Sequence, residues 1–334
     1  MIWLEFSVCA LLLIGAATLL SRYGDMLAEK TGLGRVWVGG IVLAGVTSLP
    51  ELASGVSAVA WLNAPNLAAG AIMGSCLFNL ALIALMDLLY QPGSILAQAQ
   101  EGHILSGALG VLLLGLAAAG ALLRPDINGF GALGISLVSV AVVALYLVGA
   151  RLIARFEQRR LAEILEQEAI ARRYDQISAA RAYGAFVLSA LAVIALGIWL
   201  ASIGDRLATE TGLSRSFVGN LFLAVSTSLP EVAASVAAVR LGAIDLAISN
   251  ALGSNLFNVA LLAAYDVADG RGNFWASLGP ANALAAVIAS MMTAVTIISL
   301  IYRASPRTTY RLNWDAAALL AMYIGAMWAL YWIA

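Results

Sequence analysis

Apolar residues in this chain come in long runs, and polar residues gather in the gaps between them. Ten runs stand out, near 2–22, 35–61, 65–89, 102–122, 129–153, 182–203, 215–240, 244–267, 276–302 and 312–333. Each is close to or above the roughly 20 residues that carry an α-helix across a bilayer. A spanning backbone must also satisfy its hydrogen bonds internally, which a helix does. The pattern therefore predicts an all-α membrane protein of ten transmembrane helices. The first run lacks a basic leading segment and carries Glu5, so it reads as a retained span and not a cleaved signal.

Composition strengthens that reading. Of 334 residues, 62% are hydrophobic and 11% charged, against about 45–50% and about 25% in soluble domains. A soluble enzyme is excluded, and a net charge of −1 offers nothing to nucleic acid. The placement of charge says more than its amount. If the first helix starts outside, fourteen of the eighteen Lys and Arg residues fall in cytoplasmic gaps, and only Arg124, Arg206, Arg215 and Arg271 fall outside. Basic loops stay in the cytoplasm, so both termini are expected to be extracytoplasmic, in a plasma (inner) membrane. Trp3, Trp328 and Trp332 suit interface anchors. Cys9 and Cys76 lie in apolar stretches and carry no redox signal. His103, the single histidine, opens the fourth helix and reads as a structural or surface group.

The longest polar stretch, 154–181, predicts a cytoplasmic linker with Arg and Glu at i,i+4 spacing on an exposed helix. Across it the chain repeats itself. GDMLAEKTGLGRVWVGG, from Gly24, recurs as GDRLATETGLSRSFVGN from Gly204, and TSLPELASGVSAV recurs as TSLPEVAASVAAV at the same offset of 180. GSCLFNLALIALMD, from Gly74, recurs as GSNLFNVALLAAYD from Gly253 at an offset of 179. The division is 1–153, a first five-helix repeat; 154–181, the linker; and 182–334, the second repeat. Five spans is an odd number, so the second copy enters the membrane the other way. Inverted repeats around a shared midplane site are a transporter architecture.

Two motifs carry the chemistry. T-S-L-P-E places Thr47, Ser48, Pro50 and Glu51 in the second helix and Thr227, Ser228, Pro230 and Glu231 in the seventh. A helix-interior proline removes a donor and displaces the carbonyl one turn back, while a mid-span carboxylate costs at least about 2.5–3.5 kcal/mol on insertion scales. Two such glutamates at equivalent repeat positions are hard to explain as packing. G-S-x-L-F-N places Ser75 and Asn79, and Ser254 and Asn258, four apart on one helix face. The small pairs Gly70/Gly74 and Ser249/Gly253 allow close helix approach. Two carboxylates among neutral oxygens, with no His or Cys cluster, suit a hard cation. Asp25 and Asp205 repeat as well, and read as helix-end groups. No G-x-x-x-x-G-K-[ST] is present for an ATP-driven pump. A channel remains a distinct class, marked by flux without counter-transport.

These paired blocks resemble the two alpha repeats of the calcium/cation antiporter superfamily, and most closely its sodium/calcium exchanger branch. The likeness of motifs covers about 24–89 and 204–268. It implies an antiporter and not an enzyme, with no catalytic residue and no cofactor beyond the transported Ca²⁺ and Na⁺, embedded in lipid and able to work as a monomer. Helices 2, 3, 7 and 8 would surround the ions. By motif, Glu51 and Glu231 would be the main Ca²⁺ carboxylates, and Thr47 and Thr227 would give backbone oxygens. Ser48, Ser75, Ser228 and Ser254 would serve Na⁺, with Asn79 and Asn258 beside the centre. Helices 1 and 6 would slide as a gating pair. Asn258 stands where potassium-dependent members carry Asp, and neither third-helix motif has the glutamate of proton exchangers. Another cation pair, such as H⁺ and Ca²⁺, is the alternative on the same scaffold. Val46, Val225, Ser226 and Cys76 depart from frequent family residues and bear on ion preference, not on fold.

Overall fold

The structure, a computed structural model, describes residues 2–90, 93–123, 135–167, 177–210, 227–270, 274–303 and 313–333. The expected starts of the fifth and seventh helices (129–134 and 215–226), the middle of the linker, and Arg124, Arg215, Val225, Ser226 and Arg271 lie outside those residues. So does the side chain of Asp205.

The described regular structure is helical, without a strand. In chain order it comprises α1 (Ile2–Thr31), α2 (Arg35–Thr47), α3 (Leu49–Ala60), α4 (Pro65–Leu89), the short α5 (Ile95–Gln98), α6 (Gly102–Leu123) and α7 (Leu137–Gln167). After the linker come α8 (Ala179–Glu210), α9 (Leu229–Arg240), α10 (Ile244–Asp269), α11 (Pro280–Tyr302) and α12 (Trp314–Ile333). Among the described residues, eight helices are long and apolar enough to span a membrane, or nine when α2 and α3 count as one bent span. The expectation of ten rests in part on residues 215–226, beyond the described start of α9.

Two boundaries differ from the expected ones. Helix α1 continues past residue 22 to Thr31, because Asp25 is buried and bonded at 2.5 Å to Arg35 instead of ending the helix. Helix α7 continues past residue 153 to Gln167, so the linker begins as an extension of a span.

Burial sorts the helices. Helix α10 is enclosed along nearly its whole length, and α4 largely so, whereas α1 and α12 present most of their apolar windows outward. Leu4, Leu11, Leu147, Leu188, Ile298 and Trp328 are all exposed. An apolar surface of that extent belongs in lipid. At the centre, α2 takes a wide π-helical turn over Val38–Leu43 and presses Gly40 against Gly253 of α10 so closely that a Cβ on Gly253 would overlap the Gly40 backbone. The Ser249/Gly253 small pair thus does what its spacing predicts, with Ser249 Oγ reaching the Arg35 carbonyl at 3.2 Å. His103 is fully buried, its Nε2 3.0 Å from Asp245 Oδ1, which makes it a structural group.

The third-helix motif ends in an aspartate in both halves, and each aspartate reaches into the other half. Asp87 accepts from the Ile95 N–H at 2.8 Å and from Asn313 Nδ2, just before α12, at 2.8 Å. Asp266 accepts from the Ser136 N–H, just before α7, at 2.7 Å and from Ser139 Oγ at 2.6 Å. Each carboxylate holds the first turn of the last helix in the opposite repeat.

Candidate cation site

The two T-S-L-P-E segments break their helices in the same way. Ser48 has φ −91° and ψ 9°, Ser228 has φ −86° and ψ 3°, and a new helix starts at the following leucine with proline in its first turn. Pro50 has no N–H to return to the Val46 carbonyl, and the axis bends by 42° between Arg35–Thr47 and Leu49–Ala60. Each glutamate then stands in the first turn of a half-helix, where unsatisfied backbone donors favour negative charge.

All ten residues expected at the site are buried, none more than 3% exposed. Their partners run across the two repeats. Ser48 Oγ donates to Glu231 Oε1 at 2.8 Å, and Ser228 Oγ lies 3.3 Å from Glu51 Oε1 and 3.0 Å from Ser75 Oγ. Thr47 and Ser254 also face the Glu231 carboxylate, and Thr227 faces that of Glu51. The sequence put Thr47 and Glu51 on one helical face. Thr47 Oγ1 instead donates to the Ala44 carbonyl of its own helix at 3.2 Å and lies 3.5 Å from Asn250 Oδ1 in the other repeat. Asn79 donates to Asn255 Oδ1 at 3.1 Å, and Asn258 lies beside Cys76.

What these groups leave unsatisfied defines the chemistry. Glu51 Oε2, Glu231 Oε2, Asn79 Oδ1, Asn258 Oδ1 and Ser254 Oγ are all buried without a hydrogen-bond partner. Buried polar atoms are normally paired, and a buried carboxylate without a counter-charge is expensive. Five oxygens of this kind, two of them on carboxyl groups, fit a hard cation. Among the described residues no three His, Cys, Asp or Glu side chains gather to bind a metal, so neutral oxygens would complete any coordination shell. A cavity of about 290 Å³ leads from Leu62 and Ser202 to Glu51 and Thr227.

Four further polar residues surround the site without having been singled out from the sequence. Asn250 donates to Ser235 Oγ at 3.0 Å, Asn255 donates to the Cys76 carbonyl at 3.1 Å, and the Tyr265 hydroxyl donates to the Glu51 carbonyl at 2.7 Å. Asn255 is the repeat partner of Cys76. Tyr265 lies eleven residues beyond Ser254, three turns along the same face, a spacing that could have flagged it.

A helical membrane protein with two enclosed carboxylates and a shell of neutral oxygens has the makings of a cation transporter. The chain belongs to the sodium/calcium exchanger protein family, whose model matches residues 1–153 and 181–332. Cation antiport involving Ca²⁺ is the activity of that class, so the protein is a membrane transporter. It is 29% identical over 264 residues to the inner membrane protein YrbG of Escherichia coli, covering 75% of each chain. It is 26% identical over 147 residues to the sodium/calcium exchanger MaX1 of Methanosarcina acetivorans, covering 44% of this chain and 40% of that one. Its fold matches a solved structure of the sodium-calcium exchanger NCX_Mj soaked with 10 mM Na⁺ and zero Ca²⁺, with a TM-score of 0.73 at 19% identity over 99% of this chain and 100% of that one.

Proposed function

We propose that the protein exchanges Na⁺ for Ca²⁺ by alternating access, with the ions held near the bilayer midplane between α2/α3, α4, α9 and α10. Glu51 and Glu231 bind Ca²⁺ directly. Ser48, Ser75, Ser228 and Ser254 take part in Na⁺ sites, Thr47 and Thr227 give backbone oxygens, and Asn79 and Asn258 flank the centre. Two carboxylates balance one Ca²⁺ and, equally, hold Na⁺ ions that replace it, so competition for the same charges couples the two fluxes. The observation that carries this reading is the set of five buried, unpartnered oxygens on the motif residues. Asn at 79 and 258, in place of an acidic residue, favours Na⁺ over H⁺ as the partner ion.

Ten spans in two inverted repeats, with both termini extracytoplasmic, complete the proposal, and one chain contains a whole site. The cross-pairing of Ser48 with Glu231 and of Ser228 with Glu51 supports the two-fold relation. The decisive measurement is ⁴⁵Ca²⁺ flux in proteoliposomes with Na⁺, K⁺ and pH gradients imposed separately. Uptake should follow an outward Na⁺ gradient. Uptake that ignores Na⁺ and follows pH would overturn the choice of partner ion, and current without counter-flux would make the protein a channel.

A further inference from the structure

Glu51 and Glu231 occupy equivalent places, but one buried phenol distinguishes them. Tyr265, in α10, is 1% exposed, and its hydroxyl donates to the Glu51 carbonyl at 2.7 Å. The same carbonyl also receives Ser54 Oγ at 3.1 Å. The end of the Tyr265 ring fills the space above Gly55, where any Cβ would overlap it. Phe274 backs the ring edge-on, with centroids 6.3 Å apart. Tyr265, Gly55 and Glu51 together line the inner part of the cavity.

The second repeat is built otherwise. Its counterpart of Gly55 is Ser235, which accepts from Asn250 at 3.0 Å, and the counterpart of Tyr265 is Met86, which has no hydrogen-bond donor. The Glu51 turn directly follows the helix break at Ser48, so no continuous helix on its N-terminal side holds it, and fixing its position carries an ordering cost. Tethering it before an ion arrives removes that cost from binding.

From these contacts we infer that Tyr265 is a positioning residue. It fixes the first turn of α3 so that the Glu51 carboxylate is preset for a cation arriving through the cavity, whereas among the described residues no phenol meets the Glu231 backbone. This makes the two carboxylates unequal partners, and it rests on the reading of Glu51 as a cation ligand.

The test uses the full chain in nanodiscs, with Ca²⁺ binding measured by calorimetry and flux in proteoliposomes. Tyr265→Phe keeps the ring and removes the hydroxyl. Loss of one such bond should raise the half-saturating Ca²⁺ concentration about 3- to 10-fold while the maximal rate changes much less. The paired variant Gly55→Ser/Tyr265→Met copies the second repeat. It should unfold at the wild-type temperature within a few degrees and bind Ca²⁺ as weakly as Tyr265→Phe. Because the tether acts through Glu51, Tyr265→Phe should be non-additive with Ser228→Ala, whose hydroxyl faces Glu51, and additive with Ser48→Ala, whose hydroxyl serves Glu231. Unchanged Ca²⁺ affinity in Tyr265→Phe, or additivity with both serine variants, overturns the inference. A wild-type protein that binds no Ca²⁺ in the calorimeter would instead overturn the functional reading beneath it.

Discussion

The two T-S-L-P-E turns are the same sequence in two different settings. Both break at serine with nearly equal angles, and each offers its serine to the other's glutamate. Around Glu51 the support is aromatic: a phenol on the backbone, a glycine beneath it and a cavity alongside. Around Glu231 it is a chain of small polar groups, Ser48 at 2.8 Å and the Thr47–Asn250–Ser235 series behind. Duplication supplied the motif residues twice, and divergence fell on the residues packed around them. The serine–glutamate pairing of the site is symmetric, while the described groups packed behind each glutamate are not.

If that division is right, the glutamates should be equally indispensable. Glu51→Gln and Glu231→Gln should each lower Ca²⁺ exchange by about 100-fold or more, as expected when one charge leaves a buried ionic site. Size-exclusion profiles and helical circular dichroism should stay native. Near-normal exchange by either variant would remove that glutamate from the site. The serines should be unequal. Ser48→Ala, losing the shorter bond, should weaken Ca²⁺ binding about 10-fold, against about 3-fold for Ser228→Ala; equal losses in calorimetry would make the supports equivalent after all. Asn258→Asp replaces a buried, unpartnered amide with an ionisable carboxyl group. It should shift the preference between Ca²⁺ and Na⁺ with little change in maximal flux, and unchanged selectivity would make the position structural. Smallest for transport, Asp87→Asn and Asp266→Asn should leave ion affinity alone and lower the unfolding midpoint by about 2–4 °C each. A marked affinity change in either would connect these distant brackets to the ions.

The candidate site was legible because buried charge in a membrane is costly, so two mid-span glutamates beside prolines announce themselves. Spacing of four also placed Ser75 with Asn79 and Ser254 with Asn258 correctly on enclosed helices. Periodicity failed at the break itself. It assumes a continuous helix, and Ser48 interrupts one, leaving Thr47 bonded to the Ala44 carbonyl and beside Asn250 of the opposite repeat instead of Glu51. Asp25 misled for a related reason. Its partner Arg35 sits on the next helix, and an ion pair across a turn hides charge where a single-helix reading sees a terminus. Asn255 was illegible as a support and Tyr265 showed only by its spacing from Ser254, since phenol and amide side chains occur in many spans and only the fold shows which carbonyl they meet. The aspartates at 87 and 266 were visible as a repeated letter, but their partners lie in the other half of the chain.

Those two brackets, alike in space, are unlike in time. When Asp266 leaves the ribosome, Ser136 was made 130 residues earlier and the contact can close at once. Asp87 must wait for Asn313, 226 residues later, about 10–45 s at the usual 5–20 residues per second. For that interval the first repeat lacks its last clamp, and whatever guides insertion has to hold α4 until α12 enters. The Asp87 bracket thus closes late, running from the start of α12 back to the middle of the first repeat.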